Sequence, residues 1–276
     1  MRLASVIHQG APHAARLAAD GESAVLLDDA DLGALLAWPS WGEAAAGGGP
    51  EVAAADLTYA ALTRPTKVVC VGLNYRGHVA ETGRELPAFP TLFGKFADTL
   101  CGPHDDIALP EASPKVDWEA ELTIVIGRTA RSVSTADALD HVAGYTVAND
   151  VSMRDWQNRT LQWLQGKNFE ATTPLGPVMV TPDEIDHAAD LRISCTVNGE
   201  VVQDSRTSDL IFPPAELISY ISTFTTLRPG DLVLTGTPAG VGHARTPPRF
   251  IGPDDVVAVA VESVGECRNR FTKPAS

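Results

Sequence analysis

Asp117-Trp118-Glu119-Ala120-Glu121-Leu122-Thr123-Ile124-Val125-Ile126 is the stretch on which the reading of this chain turns. The run from Glu119 to Ile126 is apolar and rich in β-branched residues, and it reads as a strand. Side chains on a strand alternate between its two faces. Glu119 and Glu121 therefore share one face, while Ala120, Leu122 and Ile124 point into a core. Two neighbouring carboxylates repel, and a divalent cation between them removes that penalty. Taken alone, the pair reads equally well as a solvated strand face.

Outward along the chain, Gly144–Asp150 (GYTVAND) reads as a strand that ends in a third carboxylate, at its junction with a helix over Ser152–Leu164. Three carboxylates on a hard cation leave three octahedral positions for water or a chelating substrate. An all-oxygen set favours Mg²⁺ or Mn²⁺ over Zn²⁺, with Ca²⁺ as an alternative. On a helix beginning near Val151, Arg154 and Gln157 share a face and can hold a carboxylate or an oxyanion. Lys167 follows in a loop, where a lone lysine is usually solvated.

Further strands are expected at Leu3–Ile7, Ala24–Leu27, Lys67–Gly72, Arg192–Val197, Asp231–Gly236 and Val256–Val264, with a hairpin at Asn198-Gly199. Helices are expected at Leu32–Trp38, Asn74–Thr82 and Pro214–Phe224, the last with proline in its first turn. In Gly72–Glu81 (GLNYRGHVAE), His78 and Glu81 are one helical turn apart. A carboxylate beside an imidazole fixes its tautomer, as a general base requires. By itself the pair is also an ordinary surface helix pair. Thr235–Gly242 (TGTPAGVG) allows close backbone approach to a ligand, but it has neither the P-loop lysine nor the dinucleotide glycine spacing. The histidines other than His78, among them His243, read as structural or exposed.

Composition bounds the rest. The chain has 276 residues, 44% hydrophobic and 20% charged, an ordinary globular balance. Its 20 prolines and 23 glycines indicate a strand-rich α+β body with long loops. The Ala-rich first sixty residues run through Ala44–Pro50 and read as a small N-terminal subdomain, residues 1–63, before a body of residues 64–276. The net charge of −14 repels nucleic acid and anionic lipid, so neither is an expected partner, and an anionic substrate needs a local cationic site. No run approaches the roughly 18 apolar residues of a membrane span. No secretory signal is visible, so the expected location is cytoplasmic. The four cysteines have no C-x-x-C spacing and read as reduced thiols, two or three of them buried.

Together, GLNYRGHVAE (72–81), DWEAELTIVIGR (117–128), GYTVANDVSMRDWQ (144–157), GKNFEATTPLGP (166–177) and TGTPAGVG (235–242), in that order, resemble the fumarylacetoacetate hydrolase family. The likeness covers residues 64–265. It implies a mixed, rolled β-sheet and a homodimer. The family's metal-binding glutamates match Glu119 and Glu121, and its aspartate matches Asp150. Its catalytic His/Glu pair matches His78 and Glu81. Its substrate-contacting arginine, glutamine, lysine and threonine match Arg154, Gln157, Lys167 and Thr237, with Lys167 also carrying catalysis. One stretch departs from the pattern. Many members read K-x-F-D-T-F-x-P-x-G-P, and this chain has Lys167-Asn168-Phe169-Glu170-Ala171-Thr172-Thr173-Pro174.

The resemblance implies a small oxo acid as substrate and C–C bond hydrolysis of a 2,4-dioxo acid, an acylpyruvate or fumarylpyruvate of the kind met in aromatic catabolism. His78, oriented by Glu81, would take a proton from the water that attacks the 4-carbonyl. Cleavage leaves a pyruvate enolate, stabilised by the cation and Lys167, while Arg154 and Gln157 hold the far oxygens. Oxaloacetate decarboxylation and isomerisation or hydration of a 2-hydroxy-dienoate are alternatives on the same site. A non-catalytic, metal-dependent dicarboxylate binder is the alternative of another class. Glycosidase chemistry fails, because Glu119 and Glu121 lie on one strand face rather than flanking a bond.

Overall fold

The computed structural model describes residues 1–273. The chain is a strand-rich α+β protein, as expected, built on two mixed sheets. The path of the larger, twelve-stranded sheet runs from Glu51–Ala53 through Ser23–Leu26, Ala11–Leu17 and Arg2–His8 to Thr173–Val180. It continues through Val142–Asn149, Ala120–Ile126, Leu232–Leu234 and Val68–Gly72 to the edge strand Thr91–Lys95. A five-stranded sheet, in the order Glu200–Arg206, Arg192–Val197, Val256–Val261, Gly265–Thr272 and Ile107–Ala108, is the second layer. The first 63 residues extend the large sheet, because Arg2 and Leu3 pair with Val180 and Met179.

The strand Ala120–Ile126 is buried along its whole length, and its alternation divides two cores rather than core from solvent. Leu122, Ile124 and Ile126 pack with Ile193, Val259 and Phe271 of the second sheet. Val125 joins Leu3, Leu35, Met179 and Leu232 on the other side. Glu121 and Thr123 share the face of Val125, so polar groups enter the interior wherever this face turns toward the site. All four cysteines are free and buried, one or two more than expected.

Pro214–Phe224 is a helix over the whole expected span, with Leu217, Ile218 and Ile221 buried. The Asn198-Gly199 turn has both residues at positive φ, 53° and 82°, as a tight hairpin requires. The expected helix Leu32–Trp38 ends at Leu36, and two others differ more. Asn74–Thr82 shortens to Arg76–Glu81, because the Asn74 amide is committed to Phe212 and the Thr235 carbonyl, and Leu73 has φ 56°. Ser152–Leu164 is not one helix. Ser152–Met153 pairs with Val116–Asp117, and single turns form at Arg154–Gln157 and Leu164–Lys167. Between them the Thr160 hydroxyl bonds the Gln162 carbonyl and the Gln165 amide bonds the Trp156 carbonyl, side-chain bonds that compete with helical ones. The strands Ala11–Leu17, Thr91–Lys95, Thr173–Val180 and Gly265–Thr272 were not expected from the sequence. The first is alanine-rich, the third contains Pro and Gly, and pairing partners rather than local preference make them strands. No described helix is long and apolar enough to cross a membrane.

Asp231 ties the chain's early segment to its late one. Its fully buried carboxylate accepts from the Thr66 N–H and hydroxyl, the Lys67 N–H and the Arg228 N–H, all at 2.8–2.9 Å. Replacing Asp231 with Ala strands these donors. The expected loss is about 3 kcal/mol of unfolding free energy, read from the urea midpoint.

Candidate metal centre and active site

Antiparallel register brings the carboxylates together. Ala120 lies opposite Asn149, so the residues just beyond them, Glu119 and Asp150, meet at the open ends of neighbouring strands. The Asp150 N–H bonds the Glu119 carbonyl at 2.9 Å, and the Asn149 side chain accepts from the Glu119 N–H at 3.0 Å. Glu119, Glu121 and Asp150 each offer an oxygen within 4.8 Å of the others, and all three residues are buried.

Three cations answer this charge. Lys167 Nζ lies 2.7 Å from Glu119 Oε2 and 2.8 Å from Asp150 Oδ2. Arg154 Nη1 lies 2.7 Å from Glu119 Oε1, and its Nε lies 2.7 Å from Asp117 Oδ2. Lys95 Nζ lies 2.5 Å from Asp150 Oδ1. The expectation of a solvated loop position for Lys167 is corrected: it ends the turn Leu164–Lys167 and is 1% exposed. Gly166 permits this, since a Cβ there would meet Gln157 Cα at 2.4 Å.

Burial by itself would raise the Glu119 carboxyl, but Lys167 and Arg154 outweigh it and hold it at about 2. Glu121 goes the other way. Burial, then Asp150 and Glu119, push it well above the ordinary carboxylate range, opposed by Lys167 and the Gly236 N–H. Burial would lower Lys167, yet Asp150 and Glu119 raise it, so it stays an ammonium.

The glycine loop after Leu232–Leu234 closes the site by backbone donation. The Gly236 N–H gives Glu121 Oε2 a 2.8 Å hydrogen bond, and Gly236 sits at φ 102°, where a Cβ would lie 2.9 Å from the Val71 carbonyl oxygen. The Gly240 N–H bonds Glu81 Oε1 at 3.0 Å, while Glu81 Oε2 lies 3.0 Å from His78 Nδ1. Burial opposes ionisation of Glu81, but the His78 and Gly240 hydrogen bonds prevail and lower it. Gln203 accepts from the Ala120 N–H and donates to the Thr237 hydroxyl at 2.8 Å.

A cavity of about 360 Å³ collects these groups. Its walls include His78, Glu81, Glu119, Arg154, Gln157, Lys167 and Thr237, while Glu121 and Asp150 are buried beside Glu119. All nine residues singled out in the sequence thus gather in one region. Arg154 Nη2 is buried without a hydrogen-bond partner among the described residues. The sequence reading passed over Lys95, Arg84, Gln203 and the role of Asp117, which joins Arg154 to the backbone of Gly242 and His243. It also placed His243 outside the site, whereas His243 lines the cavity. The one sequence signal for Lys95 is a charge inside the otherwise uncharged run Phe89–Phe96.

The profile described as fumarylacetoacetate (FAA) hydrolase C-terminal matches residues 67–272. The mitochondrial oxaloacetate tautomerase FAHD2A of Bos taurus is 47% identical over 224 residues, covering 80% of this chain and 71% of that protein. The crystal structure of 5-carboxymethyl-2-hydroxymuconate delta-isomerase from Mycobacterium smegmatis matches with TM-score 0.84 and 34% identity, over all of both chains. That of fumarylpyruvate hydrolase from Pseudomonas aeruginosa, in complex with Mn²⁺ and pyruvate, matches with TM-score 0.70 and 33% identity, over 76% of this chain and 91% of that one. The chain belongs to the fumarylacetoacetate hydrolase family, a family of enzymes.

The donor set fits a hard divalent cation: three carboxylates converge, and Glu121 is held in a position where its charge is disfavoured unless a cation offsets it. Replacing Glu121 with Gln removes one ligand oxygen while keeping an acceptor for Gly236. Mn²⁺ affinity, measured by calorimetric titration, is expected to fall by at least about 100-fold, beyond the loss usual for outer-shell partners, with the melting temperature of the EDTA-treated protein unchanged or raised.

Proposed function

We propose that this family member acts on a 2-oxo dicarboxylic acid, and that its reaction is keto–enol tautomerisation of oxaloacetate. The observation that carries the reading is the placing of the His78–Glu81 pair in one cavity with Lys167 and the unpartnered Nη2 of Arg154. A base and fixed cations around one small chamber suit proton removal next to a carbonyl. The 47% identity to an oxaloacetate tautomerase supports the choice of substrate.

A divalent cation held by Glu119, Glu121 and Asp150 would anchor the carboxylate and 2-oxo group and polarise that carbonyl. The chain's own groups do the rest. Ionised Glu81 accepts from His78 Nδ1–H, which leaves Nε2 as the proton acceptor. His78 takes a proton from carbon 3, and the C2–C3 double bond forms as the electron pair moves to the 2-oxygen. Lys167 and Arg154 oppose the negative charge that develops there. The proton is then delivered to that oxygen. Arg84 and His243, on the exposed part of the wall, supply positive or donor groups for the second carboxylate. These cations resolve the conflict between a strongly acidic protein and an anionic substrate.

A second reading, C–C hydrolysis of an acylpyruvate, uses the same dyad to activate water. It is favoured by the likeness to fumarylpyruvate hydrolase. Dienoate isomerisation and oxaloacetate decarboxylation draw on the same groups.

The Mg²⁺- or Mn²⁺-loaded enzyme is expected to speed the decay of enol-oxaloacetate absorbance, and exhaustive EDTA treatment to abolish this. His78→Ala should lower kcat by about 10²–10⁴-fold and leave Mn²⁺ binding intact. Hydrolysis of an acylpyruvate at a higher kcat/KM than oxaloacetate tautomerisation would move the assignment to the second reading. Wild-type turnover in His78→Ala would remove both. Arg154→Gln is expected to raise KM by tenfold or more, since it removes the buried donor that awaits an anion.

A further inference from the structure

Lys95 takes no part in the reaction described above. It ends the edge strand Thr91–Lys95, and its side chain is completely enclosed. Its ammonium has one hydrogen-bond partner among the described residues, Asp150 Oδ1 at 2.5 Å. Asp150 is thus clamped by two ammonium groups, Lys95 on one oxygen and Lys167 on the other. The two lysines differ in surroundings. Lys167 reaches the cavity wall; Lys95 is not on that wall.

A buried ammonium with a single partner is expensive to maintain, and it persists where a charge must be offset. Here the charge is plain. Three carboxylates crowd within 4.8 Å, with Asp117 close by on Arg154. With no ion bound, Lys95, Lys167 and Arg154 are what make that crowding tolerable. A dication bound by Asp150 would lie close to the Lys95 ammonium, which is held on the same carboxylate. Like charges a few ångströms apart in a buried site repel strongly.

We infer that Lys95 is a positioning residue of the metal centre: a fixed counter-charge that keeps Asp150 in place without an ion and, by repelling a bound dication, holds the centre to exchangeable rather than tight binding. Ion affinity and ion-free stability are then linked, because the residue that stabilises the ion-free protein opposes the ion.

The test uses Lys95→Gln, which can keep a hydrogen bond to Asp150 but loses the charge, and Lys95→Met, which loses both. Each is purified with Mg²⁺ and stripped with EDTA. Free Mn²⁺ is followed by electron paramagnetic resonance during titration, and melting temperatures are recorded with and without Mn²⁺. The Kd for Mn²⁺ is expected to fall at least tenfold in Lys95→Gln. Its stripped form should melt lower than the stripped wild type, and the gap between stripped and Mn²⁺-loaded forms should widen. Lys95→Met unfolding on stripping while remaining folded with Mn²⁺ would support the same conclusion. Unchanged or weaker Mn²⁺ binding in Lys95→Gln overturns it, as does an equal drop in both melting temperatures, which is the mark of a packing role alone. None of these readouts depends on turnover, so failure here is distinct from failure of the proposed reaction.

Discussion

Repulsion among Glu119, Glu121 and Asp150, buried with oxygens inside 4.8 Å of one another, is the constraint to which the surrounding structure responds. Isolated carboxylates do not stay ionised in such a place. Two lysines and an arginine come from three separate segments to offset them, and the Gly236 N–H adds a backbone donor. The opposite displacements of Glu119 and Glu121 follow from this. Glu119 has Lys167 and Arg154 against it and ionises easily, whereas at Glu121 burial, Asp150 and Glu119 outweigh Lys167 and one backbone N–H. A divalent cation suits the place where offset by the protein is least complete.

The large sheet is the rigid part of this arrangement, and the loops at its strand ends are the adaptable part. Register between Ala120–Ile126 and Val142–Asn149 sets the carboxylates. The loop from Gly236 to His243 then reaches back to Glu121, Glu81 and Asp117 through backbone N–H groups. Asp117 is fully buried. It holds Arg154 by Nε and the glycine loop by two amides, so the guanidinium and one cavity wall share an anchor. Gly166 gives Lys167 its close approach in the same way. Sites built on such supports hold geometry well, because each functional group is itself fixed by a second contact.

The similar proteins bear names of different reactions: a tautomerase, an isomerase and a hydrolase. A fold does not select among them; the site does. Reactions of this kind on an oxo acid need an electrophilic hold on a carbonyl and a base beside it. In this chain the proposed base is a histidine steadied by a carboxylate, and the chamber is small, with Lys167, Arg154 and Arg84 on its wall. Those features suit the compact dianion proposed as substrate, since local cations can offset the repulsion expected from a net charge of −14.

Local periodicity carried much of this into the sequence. Alternation put Glu119 and Glu121 on one side of a strand, a spacing of three brought His78 to Glu81, Asn198-Gly199 marked a hairpin, and apolar spacing after Pro213-Pro214 marked the longest helix. These are short-range relations, set by backbone geometry within a few residues, and the order of five motifs was enough to indicate the family. Tertiary structure decided the rest. Asp150 meets Glu119 because of register between two strands, which no spacing along the chain encodes. Ser152–Leu164 breaks into turns because pairing with Val116–Asp117 and side-chain bonds from Thr160 and Gln165 compete with the helix. Lys95 and Lys167, unremarkable as letters, become buried counter-charges because strand and loop ends far apart in sequence converge on the same carboxylates. Whether an ionisable side chain is solvated or buried against a partner depends on long-range packing, and that is where sequence reading of this chain stopped.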